Sequence, residues 1–291
     1  MSDLSPISHL DKIERLNISN TEVCSIEKLE YLKNITFLGL DGTNVGDIEI
    51  LSKFHNISSL WIDDTPIFDI SPLKSLKALS FLWMQRAKIS DISNISHLPN
   101  LSSLHASECD IVNFEPLLNM KNISILSIDN TNIDKSEYFK NMNIIRELSI
   151  SNTNISEMDH LINCANIKKL NISFTGVNNI SVLRNMKNIR DFRAYNTKIS
   201  DISPLENSRE IENIDLDSTC VENIKIMKEL RSLKHLSICF TPVNDISVLS
   251  EHTDLTISVE SQERADRLHS TLRPDSAVQI EVASWISPPL K

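Results

Sequence analysis

Apolar residues return along this chain every 22 positions. Cut from Ile13, the sequence falls into eleven such repeats ending at residue 254, with no insertion or deletion. Position 1 is Ile or Leu in every repeat, and position 4 is Leu in nine, with Phe192 and Ile214 as the exceptions. Position 6 is apolar throughout, and position 11 is always Val or Ile. Position 14 is apolar except at Ser136, and position 17 is mostly Leu, replaced by Ile95, Phe139 and Met227.

The spacing changes inside each repeat. Apolar positions 4 and 6 around a polar neighbour predict a short strand with one buried face, whereas positions 14, 17 and often 20 have the three-residue spacing of a helical or 3₁₀ turn. A single repeat cannot bury both apolar edges. It must stack on its neighbours, with parallel strands on one face and short helical turns on the other.

A recurring pentapeptide sets the phase. "DISPL" stands at residues 69–73 and 201–205, and "DLSPI" at 3–7, so the starts are separated by three and six repeat lengths. Its Ile fills position 14 and its Leu position 17. Ser is suited to cap the turn and Pro to preset φ at its first position. Leu4, Ile7 and Leu10 then occupy positions 14, 17 and 20 of a partial repeat over residues 1–12. Past residue 254, "DLTISVE", "SQERADRLHSTL" and "AVQIEVA" predict a strand–helix–strand cap over 255–291.

"LSSLWIDDTPIFDISPLKSLKALSFLWM" and its copies resemble leucine-rich repeats, through the L-x-x-L-x-[L/I]-x-x-[N/T]-x-[I/L] core. The repeat length and the D-I-S-x-L segment resemble the short repeats of internalin-like and phosphatase-regulatory proteins. The resemblance implies an α/β fold: a curved, right-handed leucine-rich-repeat solenoid with its parallel sheet on the concave face and 3₁₀ turns on the convex face. It departs from the family at position 9, where the usual Asn is Thr in nine repeats and Ala87 or Cys109 in the other two. A Thr hydroxyl can do a smaller version of the Asn amide's backbone hydrogen bonding.

Composition narrows the function classes. A net charge of −10 argues against nucleic acid or an anionic membrane as partner, and no stretch approaches 18 consecutive apolar residues. The five cysteines show no CxxC pairing, so neither disulfides nor zinc are expected, and a reducing compartment fits. The start of the chain lacks the basic and apolar regions of a secretory signal. Nine Asn-x-Ser/Thr sequons, several on packed positions, argue against passage through a glycosylating pathway. The expected location is the cytoplasm of a bacterium, with export into a host cell as the alternative.

Catalytic chemistry finds no support. His235 and Cys239 share a strand but stand about 13 Å apart at positions 3 and 7. No HExxH spacing and no Gly-rich phosphate loop occurs among eight histidines and four glycines. No cofactor or metal is expected.

Attention therefore falls on strand positions 3, 5 and 7, which face solvent. Column 5 places Trp61 and Trp83 on adjacent strands, about 5 Å apart. Phe37, Phe81 and His105 extend this group, and Asp41, Asp63 and Asp64 border it. A second patch gathers Arg146, Lys168 and Arg190 at position 2 with Lys169 and Arg193, next to Phe174 and Tyr195. Aromatic residues are enriched among interface hot spots, and a basic patch can meet an acidic segment. The expected function is non-enzymatic binding of a protein partner on the concave face, as an inhibitory, immunity-type or regulatory module. The alternatives are a translocated effector and a regulatory subunit of an enzyme such as a phosphatase. The expected state is a monomer, with a homodimer through the thinly capped N-terminal end as the alternative.

Overall fold

The structure, a computed structural model, describes residues 2–284. The last stretch of the expected cap, from 285 on, lies outside the described residues. Two compact units divide the chain: an N-terminal half through Ile133 that includes Tyr138–Ile145, and a C-terminal half of Asp134–Glu137 and everything from Arg146. Six short strands, from Arg15–Asn17 to Ile125–Ser127, belong to the first half. Among the described residues seven, from Glu147–Ser149 to Gln279–Val282, belong to the second.

In the eleven repeats the strand occupies positions 3–5, and its partners within each half lie one repeat away, Arg15 opposite Phe37 and Leu16 opposite Leu38. The columns of the sequence are thus columns in space. Pairing is parallel and follows chain order within each half. Positions 4, 6, 11 and 17 point inward and are buried from the second repeat on, where Leu38, Leu40, Val45 and Leu51 are fully covered. Two polar residues at inward positions find partners, as most buried polar groups do. Ser136 Oγ meets His160 Nδ1 at 3.2 Å, and Ser208 Oγ donates to the Met186 carbonyl at 3.4 Å.

Position 8 carries a feature that hydrophobic periodicity does not signal. All eleven residues there, from Asn20 and Gly42 to Phe240, have φ between 51° and 63°. The left-handed conformation turns the chain out of the strand, at a steric cost that Gly and Asn bear best. At Gly42 a Cβ would also stand 2.6 Å from Asn20 Oδ1. The adjoining Thr at position 9 secures the turn: in all nine cases its Oγ1 donates to the carbonyl at position 6 of its own repeat, from Thr43 to Leu40 at 2.6 Å to Thr241 to Ile238 at 2.8 Å. Ala87 has no hydroxyl. The Met84 carbonyl that it leaves is met instead by the Cys109 thiol of the next repeat, at 2.9 Å.

Two further ladders join repeats. At position 22, the amides of Asn34, Asn56, Asn100 and Asn122 donate to carbonyls 23 residues earlier, at 2.7 to 3.1 Å. At position 7, Asp41 and Asp63 accept the backbone N–H of the same position in the following repeat, at 3.0 and 2.7 Å. The cap of the "DISPL" turn is the Asp rather than the Ser. Asp69 Oδ1 accepts the Ser71 N–H at 2.7 Å, Asp201 does the same for Ser203 at 2.8 Å, and Pro72 is second in the turn Ser71–Ser75. The Asp carboxylate, standing just before the turn, accepts the N–H two residues ahead, which a Ser already inside the turn cannot do.

The two ends differ. At the N-terminal end Leu4 is buried, but Leu10 is 41% exposed and Leu16 only half-buried. At the other end come the strand Thr256–Val259, helix α1 (Gln262–His269) and the strand Gln279–Val282, both strands parallel to the repeats. Helix α1 docks through buried Leu268 and Arg264, whose guanidinium reaches Thr241 Oγ1 at 3.1 Å, the Val243 carbonyl at 3.0 Å and Glu260 at 3.2 Å.

Candidate functional site

The outward strand positions of the N-terminal half hold a continuous row of rings. Because columns 3 and 5 stand in register across parallel strands, the ring of each repeat falls against that of the next. Phe37 meets Trp61 edge-on with centroids 4.8 Å apart, and Trp61 meets Trp83 edge-on at 5.0 Å. Trp83 is stacked with His105 at 5.3 Å and, more loosely, with Phe81 at 6.4 Å. Edge-on and offset stacked pairs are the geometries that the ring quadrupole favours.

The members differ in exposure. Phe81 is 43% exposed and Trp61, Trp83 and His105 are partly exposed, whereas Phe37 is 6% exposed, covered in part by the Arg15 guanidinium 4.4 Å from its ring centre. Phe37 therefore supports the row and offers little surface of its own. Trp61 Nε1–H is buried with no hydrogen-bond acceptor among the described residues.

Carboxylates border the row. Asp63 is pushed up to about 6, chiefly by burial and further by Asp41, against the Gln85 N–H that it accepts. Asp41 is raised by burial as well. Asp64 is held low by a two-pronged bond from Arg86, whose Nε lies 2.6 Å from Oδ1. Asp63 and Asp41 thus combine a structural hydrogen bond with a desolvated charge facing outward.

The strand face of the C-terminal half is built from ion pairs. Lys169 pairs with Glu147 at 3.0 Å, Arg190 with Glu210 at 2.9 Å, and Arg193 with Asp191 through two bonds at 3.0 and 3.1 Å. The expected basic patch is therefore largely neutralised by its own acids. Arg146 and Lys168 are exposed and form no ion pair among the described residues. Phe174 meets Tyr195 edge-on at 4.6 Å and holds φ at 57°, a strained value for a bulky residue.

Beside the Arg193–Asp191 pair lies a pocket of about 310 Å³ lined by Asp215, Asp217, His235 and Glu281. Burial and the neighbouring Asp217 push Asp215 up to about 6. Sequence reasoning passed over this acidic group and over Arg15. Arg15 opens column 3, next to Phe37, and Asp215 follows Arg193 in column 5, so the columns held the signal. Their burial and pairing did not show there.

The thiols of Cys109, Cys164 and Cys239 are pushed up to about 12 by burial, far from the thiolate that a nucleophile needs. Among the described residues, no group of three His, Cys, Asp or Glu side chains is arranged to hold a metal, and no helix is long and apolar enough to cross a membrane.

No protein-family model and no curated protein matches the chain. Solved structures do. An internalin, InlF, from Listeria monocytogenes is 25% identical, with 96% of this chain and 88% of that one covered and a TM-score of 0.82. The functional domain of InlJ from Listeria monocytogenes, which includes a cysteine ladder, is 17% identical over 94% of this chain and 54% of that one, with a TM-score of 0.74. A plant peptide hormone receptor, RGFR1 in complex with RGF2, is 15% identical over 94% of this chain and 48% of that one, with a TM-score of 0.71. With eleven 22-residue repeats, parallel strands and 3₁₀ turns, the chain is a leucine-rich-repeat solenoid. It is similar to the internalins.

Proposed function

We propose that the protein is a non-enzymatic interaction module of bacterial origin that binds a protein partner on the outward face of its strands. The observation that carries this reading is the row Trp61–Trp83–His105 with Phe81, held partly exposed on a rigid backbone. Exposed rings of this kind are what a partner covers at an interface hot spot. A preformed sheet loses little conformational entropy on binding, so most of the contact energy is available for affinity. The partner-bound plant receptor and the internalin likeness support the same class of function. The basic side chains Arg146 and Lys168, with Arg193, add electrostatic contacts of lesser weight. Binding acts by occluding or scaffolding the partner.

The test is recovery of partner by the wild type and by a Trp61→Ala/Trp83→Ala double variant whose circular dichroism and melting curve show it folded. Loss of the specifically recovered protein is expected. Equal recovery by the folded variant removes the aromatic row as the binding surface.

A further inference from the structure

Resting on that reading, we propose that the aromatic row takes a basic side chain, arginine or lysine, presented by the partner on an apolar-flanked segment, with its stem along the Trp83 ring, its charge at the Asp63 carboxylate and the apolar flank on Phe81. The row already holds one such cation of its own. Arg15 lies with its guanidinium 4.4 Å from the centre of the Phe37 ring, the geometry of a cation–π contact. Among the described residues no cation lies over the partly exposed Trp83 ring, and Phe81, 43% exposed and only loosely stacked on it at 6.4 Å, leaves apolar surface beside it.

The second strand of the argument is charge. Asp63 Oδ1 accepts the Gln85 N–H, while Oδ2 takes no hydrogen bond among the described residues. Its neighbour Asp41 is a second carboxylate, with no ion pair of its own there. Arg86, the cation of this region, is engaged by Asp64 and by Glu108, the latter at 3.6 Å. Two partly buried carboxylates that form no ion pair among the described residues stand beside rings with negative faces, and Arg86, held by Asp64, offsets Asp63 only at a distance. An acidic segment would meet repulsion there, and a neutral apolar one would leave the carboxylates buried and unpaired, which is costly. A guanidinium or ammonium satisfies both, and its aliphatic stem covers the rings.

The experiment selects random phage-displayed peptides on the whole protein and measures the enriched ones as synthetic peptides by isothermal titration calorimetry. Enriched peptides are expected to carry Arg or Lys among apolar residues. Replacing that Arg by citrulline, its neutral isostere, or Lys by norleucine weakens binding by about tenfold, and so does Asp63→Asn, which keeps an oxygen for the Gln85 N–H. Trp83→Ala abolishes binding. Enriched peptides that need Trp83 but tolerate loss of the charge overturn the cation site while leaving protein binding by the row intact. Peptides indifferent to Trp83→Ala, or no enrichment at all, overturn this proposal. Indifference to Trp83→Ala also counts against the row as the docking surface.

Discussion

The two halves of the molecule share one repeat and one backbone, yet they present different surfaces. In the N-terminal half, columns 3 and 5 carry Phe37, Trp61, Phe81, Trp83 and His105; in the C-terminal half the same columns carry Glu147, Lys169, Asp191 and Arg193. The inward columns tolerate almost no change, because a large-to-small or polar substitution there leaves a cavity or an unpaired group. The outward columns are under no such constraint. Phe81, Trp61, Trp83 and His105 leave ring surface exposed, whereas the ion pairs are already satisfied by one another and, exposed as they are, contribute only about 0–1 kcal/mol each. Binding energy should therefore concentrate in the first half.

The largest effect expected from this comparison is on affinity. Trp83→Ala weakens partner binding by about 30-fold, the scale of a hot-spot residue, while Arg193→Ala weakens it by less than about threefold. Calorimetry on the recovered partner reads both, and the reverse order would break the comparison outright. A smaller effect, on stability, sharpens what the two faces have in common.

Each face holds a carboxylate raised to about 6, Asp63 in one half and Asp215 in the other. A folded value above the ordinary one means that the fold prefers the protonated form. Stability is thus lost as pH rises from about 4 through about 6, and the loss is complete above that window. Asp215→Asn, which keeps an oxygen for the Asp217 N–H, is expected to stabilise the protein by about 2 kcal/mol at pH 7.5 and by little at pH 4, by urea denaturation. A gain that does not depend on pH would assign the effect to packing.

The smallest effect tests the shared frame. Thr65→Val in one half and Thr175→Val in the other each remove one hydroxyl bond to a position-6 carbonyl, at 2.7 and 2.6 Å in the wild type. Each is expected to cost about 1 kcal/mol in the same assay. Unequal losses would mean that the two halves do not use the ladder alike.

Much of this was legible in the chain itself. The 22-residue period specified strand, turn and core, and Trp61 and Trp83 could be placed side by side from column 5 alone. Three features escaped it for identifiable reasons. The left-handed column at position 8 is filled by Asn, Gly, Asp, Arg, Glu, Ser and Phe, so no residue type marks a conformation that the turn imposes on all of them. The "DISPL" cap passed to Asp69 because Asx geometry reaches two residues forward. Phe37 looked like an exposed anchor, yet Arg15 and Trp61 lie against its ring.

By itself, then, the sequence determined the repeat, its phase and which columns face inward, because burial depends on a pattern of apolar residues and that pattern is linear. Only the tertiary structure decided which outward residues are free to act. Whether Lys169 is spent on Glu147, whether the Cys109 thiol serves Ala87's repeat, or whether Asp63 keeps one oxygen open depends on neighbours 22 or more residues away. Hydrogen bonds and ion pairs are satisfied in space, by distance and angle, and the order of residues along the chain does not record them.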